Sequence, residues 1–451
     1  MSDPGMHIHI VGAGGAGMSA IAKVLVGIGH QVSGSDLRAS PALDRLGDFG
    51  VDTYTGHRAE VATSSDLVVV SSAVPPTDLE VSSAREAGIP VWGRPEMLEA
   101  LTKRIPTIGA TGTHGKTTTT SLLISGLRAT GADPSFIVGG DLATLNTNGH
   151  FGSDDLLVIE ADEAFRTFET LMLRGLVVTN VESEHLEHFG TEPELLSSFV
   201  SVASNVDGPV LACADDPGSR EVARRSGAVT YGTSADADWK VDDYQPTAAG
   251  SRFTLRGLDV AQVVEVSRPG RHVARNAAGA LALLGSLGHD VSEAARGIAE
   301  FRGVGRRWEH RGTIGGVTLI DDYAHHPTEV AATLSAARDV GSKRLWAVFQ
   351  PHLYSRTERF QREFGAALAM ADVAVVTDVY GAREEPVPGV TGALVADAVT
   401  AQGGICHYVA HKAELAGFLA TRVEEGDLVV SMGAGDITLL PSELAALLAA
   451  R

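Results

Sequence analysis

Short runs of aliphatic and β-branched residues that stop at Gly, Asp or Ser recur along the chain. Each is followed by a stretch whose apolar residues return every three or four positions. That alternation predicts βαβ units on parallel sheets, because a strand covered on both faces is continuously apolar while its covering helix is apolar on one side only. His7 to Val11 opens the first unit, and Met18, Ile21, Ala22, Leu25 and Ile28 follow at helical spacing. VSGSD and LVVVSSAVP, the latter Leu67 to Pro75, read as further strands, and the unit closes near Arg104, where KRIP offers a linker with a residue held extended before Pro106. A second unit starts at TIGATGTHGKTTTT, carries the strands LLVIEAD and GLVVTN, and ends near Phe301 to Arg307, a Gly/Arg-rich hinge candidate. The third holds GVTLIDD, RLWAVFQ, VAVVTD and DLVVSMGAGD, four strands with polar ends. The expected fold is α/β with three domains, residues 1–104, 105–305 and 306–451.

Length agrees, since 451 residues at roughly 150 per domain make about three. With 44% hydrophobic and 20% charged residues the chain has the composition of a folded protein rather than a disordered one. Acidic residues outnumber basic ones 56 to 36, for a net charge of −20 without a long single-sign block, which disfavours nucleic acid and anionic membrane surfaces as partners. Any bound phosphate must therefore be held locally, by a few cations, metal ions and backbone N–H groups. Cys213 and Cys406 have neither metal-ligand nor redox spacing, so they read as inert thiols in a reducing cytoplasm. The opening residues lack a basic segment followed by an apolar one, and no stretch offers about 18 uninterrupted apolar residues, so a cytoplasmic, non-exported protein is expected. No solenoid-period repeat is visible.

GATGTHGKTTT, Gly109 to Thr119, is the strongest chemical signal. A strand, a glycine-rich turn, a Lys-Thr pair and a helix start make a nest for anions, in which Lys116 would reach the β- and γ-phosphates and Thr117 would place its hydroxyl on Mg²⁺. Ala110 stands where the strict pattern has Gly, so the loop is a variant. GAGGAG, Gly12 to Gly17, fits a nucleotide fingerprint, with Asp36 near the distance at which an acid meets a ribose hydroxyl; alone it reads equally well as a structural turn. IEADE places Glu160, Asp162 and Glu163 at a strand's carboxyl end, where Glu160 would ligate Mg²⁺ and Glu163 is expected to be solvated. VVTNVESEHLEHF places Asn180, Glu182 and His185 at the next strand end, with His185 able to ligate a second metal. In the third unit Asp321, Asp322, His325, His326, His352, Tyr354 and Arg356 all follow strands and suit a ligand bearing both charges, such as an amino acid. His325 and His326 are adjacent and should diverge. Most of these residues also read as helix caps and turn formers.

GAGGAGM, GTHGKTTT, IEADE, VTNVESEH, HVARN, GVGRR, DDYAHHPTE, FQPHLYSRT and SMGAGD occur in this order over nearly the whole chain. In order and spacing they resemble the Mur ligase family, and within it the member that adds L-alanine to UDP-N-acetylmuramate. The resemblance implies a Rossmann-like N-terminal domain for the UDP-sugar, a central P-loop-type ATPase domain with a mostly parallel sheet, and a C-terminal Rossmann-like domain for the amino acid that also closes over ATP. It implies UDP-sugar contacts from Gly12, Gly14, Gly15, Ala16, Gly17, Ser35, Asp36 and Ser71, and ATP contacts from Gly112, Thr113, His114, Gly115, Lys116, Thr117, Thr118, Asn276 and Arg307. Thr117, Glu160 and His185 would hold Mg²⁺, as two ions, and Lys116, Glu160, His185, Arg307 and Asp322 would serve the chemistry. His325, His352 and Arg356 would lie near an acyl phosphate and the alanine. Six positions depart from the family pattern: Val273 replaces an asparagine, Ala164 and Phe165 replace Ser-Asp, and acids are lengthened at Glu184 and Glu187 with a phenol lost at Phe189. No lysine lies between Lys116 and Lys240, where ligases for later amino acids often carry a modified one. The alternatives are a ligase that recycles murein tripeptide onto the same sugar nucleotide, an NAD-dependent dehydrogenase using GAGGAG and Asp36, and a nucleotide-binding regulatory module.

Overall fold

The computed structural model describes residues 5–184, 186–247, 250–257, 259–382 and 384–451. Three sheets follow one another along the chain. The first comprises β1 (His7–Val11), β2 (Gln31–Asp36), β3 (Asp52–Thr55), β4 (Leu67–Val70) and β5 (Val91–Gly93) in the order β3-β2-β1-β4-β5, all parallel. The second has ten strands, β6 (Thr107–Thr111), β7 (Pro134–Leu142), β8 (Thr147–His150), β9 (Ser153–Glu160), β10 (Gly175–Val178), β11 (Val210–Cys213), β12 (Val229–Gly232), β13 (Trp239–Thr247), β14 (Gly250–Gly257) and β15 (Val260–Val266). Their order is β15-β14-β13-β12-β11-β10-β6-β9-β7-β8. The third has β16 (Glu309–Ile314), β17 (Val317–Asp322), β18 (Leu345–Phe349), β19 (Val373–Val376), β20 (Cys406–Tyr408) and β21 (Leu428–Met432) in the order β16-β17-β21-β18-β19-β20, with only β16 antiparallel to its neighbour. At the centres of the second and third sheets, β6, β10, β18 and β21 are buried along their whole length, as strands covered on both faces are.

In each sheet the chain order reverses beside a central strand, β1, β6 or β21, which opens a crevice at the carboxyl ends of the strands. The helix Ala16–Ile28 buries the predicted stripe of Met18, Ile21, Ala22, Leu25 and Ile28 and ends at Gly29, whose φ of 104° suits a residue without a Cβ. That helix also packs against β7 and β8. A Cβ on Gly149 would lie 2.6 Å from the Ala20 backbone, and one on Gly27 would lie 2.2 Å from Phe151. Lys23, buried at this contact, donates to Thr147 Oγ1 at 3.0 Å and Asn148 Oδ1 at 2.8 Å.

The first sheet and most of the second belong to one compact unit, Met1–Asp243 with Phe253–Glu265 and Arg275–Arg302. The second unit is Gly303–Arg451 with Tyr244–Arg252 and Val266–Ala274, so the chain enters it three times, the last at Gly303. Among the described residues no helix is long and apolar enough to cross a membrane.

Candidate active site

The strand β6 lies between β9 and β10 and runs parallel to both, so the segments that leave these three strands meet at one carboxyl edge. The turn Gly112–Gly115 starts and ends at positive φ, 128° and 84°, before the helix Lys116–Ala129 begins. A Cβ on Gly112 would fall 2.2 Å from Thr179 Oγ1, so only glycine lets the loop lie this close to the end of β10. The loop is fastened there. Thr113 N–H donates to Asn180 O at 3.1 Å, His114 N–H donates to Asn180 Oδ1 at 2.8 Å, and Thr179 Oγ1 and Asn180 Nδ2 donate to His114 O at 2.6 and 2.9 Å. Glu182 N–H closes the brace on Thr113 Oγ1 at 2.9 Å, with its carboxylate 3.6 Å from His114 Nε2. Asn180 and Glu182 thus shape the glycine loop, the candidate seat for phosphate. Asn276, buried, sets its amide against Gly115, where a Cβ would lie 3.0 Å from Nδ2. Thr117 and Thr118 sit half-buried in the first helical turn.

Lys116 Nζ donates to Gly112 O at 2.7 Å and to both oxygens of Glu163 at 2.9 and 2.8 Å, with Asp162 Oδ1 at 3.7 Å. Burial disfavours its charge, but Glu163, Asp162 and Glu160 outweigh that and hold its pKa above the usual lysine value. The expectation that Glu163 is a solvated acid is therefore wrong: it is 1% exposed and is the lysine's closest counter-ion. The strand β9 ends at Glu160, so the chain turns inward there and carries Glu163 under the loop. Glu160 accepts from Gly139 N–H at 2.6 Å and from the Thr117 hydroxyl, while burial pushes its pKa up. A hydroxyl and a carboxylate side by side beneath a phosphate loop are the hard oxygen donors that suit Mg²⁺. His185, expected as a further metal ligand, lies outside the described residues. Of the departures from the family pattern, Phe165 is 47% exposed with φ 55° and its ring is 4.5 Å from that of His188, whereas Phe189 is buried edge-on to Phe168. Val273 is buried as well.

The first sheet builds a second glycine loop. Gly12 and Ala13 N–H donate to Ser35 O at 2.9 Å, and Gly14 N–H donates to Asp36 Oδ2 at 3.0 Å, so Asp36 braces the turn. A Cβ on Gly12 would meet Ser71 at 2.9 Å, which brings the segment after β4 onto the loop. Ser35 differs from expectation. Its side chain is 1% exposed and its hydroxyl donates to Glu80 Oε2 at 2.5 Å, so only its carbonyl serves the loop. Glu80 also accepts from Tyr54 OH at 2.6 Å and Arg58 N–H at 2.7 Å; burial opposes its charge, but these bonds with those from His9 and Ser35 prevail and hold it at about 2. Arg94, which sequence reasoning passed over, lies across Gly17 and forms an ion pair with Asp162 at 3.6 Å.

In the other unit, Glu329 organises the residues expected to meet the amino acid. It accepts from His325 N–H at 3.0 Å and His326 N–H at 3.3 Å, and its other oxygen accepts from Arg307 at 3.5 Å. His325 Nδ1 is 3.0 Å from Tyr323 O and 3.3 Å from Glu329, two acceptors that place the ring hydrogen on Nδ1 and leave Nε2 as an acceptor. Burial lowers its pKa to about 4, against the pull of Glu329. Its ring lies 5.9 Å from that of His352, to whose Nδ1 Arg356 donates at 3.4 Å. The His326 ring diverges and packs edge-on to Phe360, as adjacency predicts. Asp322 holds the segment together, accepting from Trp308 N–H and Ala324 N–H, each at 2.8 Å, and burial raises it to about 6. Asp321 is fully buried and accepts from Thr438 Oγ1 at 2.6 Å. Arg306, also missed, donates to Gly433 O at 2.7 Å. Glu329 was visible only as the last letter of DDYAHHPTE. Its position at the third residue of the helix Pro327–Val340, where a carboxylate reaches back to free N–H groups, is the signal that could have found it.

Three mostly parallel sheets with crevices at their carboxyl ends, one beneath a glycine loop that carries a lysine, are the architecture of a nucleotide-dependent enzyme. Residues 7–105 match the Mur ligase family catalytic domain, 110–284 the Mur ligase middle domain and 306–435 the Mur ligase glutamate ligase domain. The chain belongs to the Mur ligase family. It is 45% identical to the UDP-N-acetylmuramate–L-alanine ligase of Kineococcus radiotolerans, over 98% of this chain and 96% of that one. Among solved structures it resembles the UDP-N-acetylmuramate-alanine ligase of Thermotoga maritima, with a TM-score of 0.83 and 29% identity over 98% of each chain. It resembles the murein peptide ligase of Psychrobacter arcticus less, with a TM-score of 0.71 and 25% identity over 99% of each.

Proposed function

We propose that this chain uses ATP to join L-alanine to the lactyl carboxylate of UDP-N-acetylmuramate, a step in peptidoglycan precursor synthesis. The observation that carries the reading is Lys116 at the mouth of the β6 loop, charged and flanked by Thr117 and Glu160, in a chain 45% identical over nearly its full length to an alanine-adding ligase. A carboxylate does not react with an amine at neutral pH, because its oxide is a poor leaving group. Transfer of the γ-phosphoryl group to it makes an acyl phosphate, and the amine of alanine then displaces phosphate. Both partners of the first step are anions, so positive charge must meet the transferring group.

Lys116 supplies that charge from the protein, and the Gly112–Thr118 turn, with Asn276 behind it, seats the phosphates. Thr117 and Glu160 would hold Mg²⁺, with His185 the candidate for a second ion; when bound, the metal offsets the remaining negative charge. Gly12, Gly14, Gly15, Ala16 and Gly17, with Asp36 and Ser71 beside them, would seat the sugar nucleotide. His325, His352, Arg356 and Arg307 would receive the amino acid and the acyl phosphate, the free Nε2 of His325 accepting from an ammonium.

The test supplies UDP-N-acetylmuramate, ATP and Mg²⁺ with each amino acid in turn, and with the murein tripeptide, and measures phosphate release. Release that depends on alanine is expected. Release with the tripeptide but not with alanine would overturn the reading.

A further inference from the structure

We infer that Tyr380 is a positioning residue for the amino-acid step, its ring holding the imidazole of His352 in the orientation that meets alanine. The inference rests on the reading of His325, His352 and Arg356 as the amino-acid site. Tyr380 follows β19 and His352 follows β18, two neighbouring parallel strands. Beyond the strand ends the two segments stay joined. Tyr380 N–H donates to Pro351 O at 2.8 Å and Leu353 N–H donates to Tyr380 O at 3.0 Å, so one residue clamps the chain on both sides of His352. The Tyr380 ring stacks on the imidazole, with centroids 5.9 Å apart and planes 15° from parallel. Gly435, in the turn after β21, lies against the same ring, since a Cβ there would fall 2.6 Å from Tyr380 Cγ. Three strand ends thus meet at one phenol ring.

The imidazole is held from three directions. Tyr380 stacks on it, the His325 ring meets it edge-on at 5.9 Å, and Arg356 donates to its Nδ1 at 3.4 Å. Rotation of the imidazole would forfeit the stack, so these contacts together select one ring orientation. The backbone is constrained as well. Leu353 stands at φ 70° and ψ 135°, a conformation that suits glycine and that another residue keeps only where its surroundings fix it. Tyr380 O fixes it from one side. From the other, Thr357 N–H and Oγ1 donate to Leu353 O at 3.1 and 2.7 Å. Glu384, from the same loop as Tyr380, accepts from Ser355 N–H at 3.0 Å and so fastens the first turn of the helix Tyr354–Leu368, which carries Arg356 back to His352. Tyr380 is itself 39% exposed. A ring so open gains little from burial, and the groups it touches belong to the site.

The experiment measures KM for alanine, ATP and UDP-N-acetylmuramate in the wild-type chain, Tyr380→Leu and Tyr380→Phe, and follows the His352 Cε1–H resonance by NMR, assigned with His352→Gln. Tyr380→Leu is expected to raise the alanine KM by about 10-fold, leave the other two KM values in place and move the His352 resonance. Tyr380→Phe, which keeps the ring, should match wild type in all of these. An unchanged alanine KM in Tyr380→Leu would overturn the inference. So would a rise in all three KM values together, which marks a general structural role, and so would an equal loss in Tyr380→Phe, which would put the hydroxyl on the substrate. If Tyr380→Leu does not fold, Tyr380→Met takes its place and is read in the same way; a chain that folds with neither would show that the ring serves the core, against the inference. An alanine KM unaltered by His352→Gln refutes the amino-acid reading of the site itself, an outcome separate from any effect at Tyr380.

Discussion

At Lys116 burial works against the ammonium while Glu163, Asp162 and Glu160 favour it, and the carboxylates prevail. A positioned charge facing a transferring phosphoryl group is typically worth about 10²- to 10³-fold in rate. Lys116→Ala is therefore expected to lower turnover at least that far while leaving UDP-N-acetylmuramate affinity intact, as steady-state rates and calorimetry would show. His325 gives a pH dependence of definite sign. Its folded pKa, about 4, lies below the unfolded value of roughly 6.5, so between those values the unfolded chain holds the extra proton and acid destabilises the fold. Asp322, raised to about 6, acts oppositely in an overlapping window, because there the folded chain holds the proton. Relative to wild type, His325→Gln should thus be more stable at pH 4.5 than at pH 7 in urea unfolding; an equal difference at both pH values would contradict the assignment. Lys116 and Thr117 were legible in the sequence because a glycine turn followed by Lys-Thr has few other uses. Glu163 was not, since three acids in IEADE look alike until the chain's turn after β9 decides which one points inward.

At the level of elements, the phosphate loop depends on the closeness of Gly112 to the end of β10. Gly112→Ala adds a Cβ at a φ of 128° and 2.2 Å from Thr179 Oγ1, so it should distort the turn without touching the first sheet. The expected result is loss of ATP-analogue binding with UDP binding retained, and retention of both would show that the loop tolerates the shift. The strands that carry the crevices, β1, β4, β6, β9, β10, β17, β18, β19 and β21, were readable as apolar runs with polar ends. Those not foreseen are largely outlying. The strand β8, TNGH, contains no aliphatic residue, and β14, GSRFTLRG, alternates buried and exposed positions, so neither forms the continuous run that marks a central parallel strand. Lys23 shows the same limit in a helix, where a buried lysine is intelligible only beside Thr147 and Asn148.

Over the whole chain, the first sheet and most of the second share a unit through the helix Ala16–Ile28, whereas the third belongs to another. Gly27→Val would force a side chain into Phe151, and overpacking of this kind costs about 1 to 3 kcal/mol. It should lower the thermal transition of the first two sheets together, followed by calorimetry, and leave that of the third in place; a shift confined to the third sheet's transition would contradict the shared packing. The acidic balance of the chain, −20 overall, gives no general attraction for phosphate, so the proposed binding of phosphate falls to Lys116 and the two glycine loops. The central claim is that the lactyl carboxylate takes the γ-phosphoryl group of ATP. With oxygen-18 in that carboxylate, the phosphate released during alanine addition should carry one labelled oxygen. Phosphate released at the full rate with no label would contradict the account.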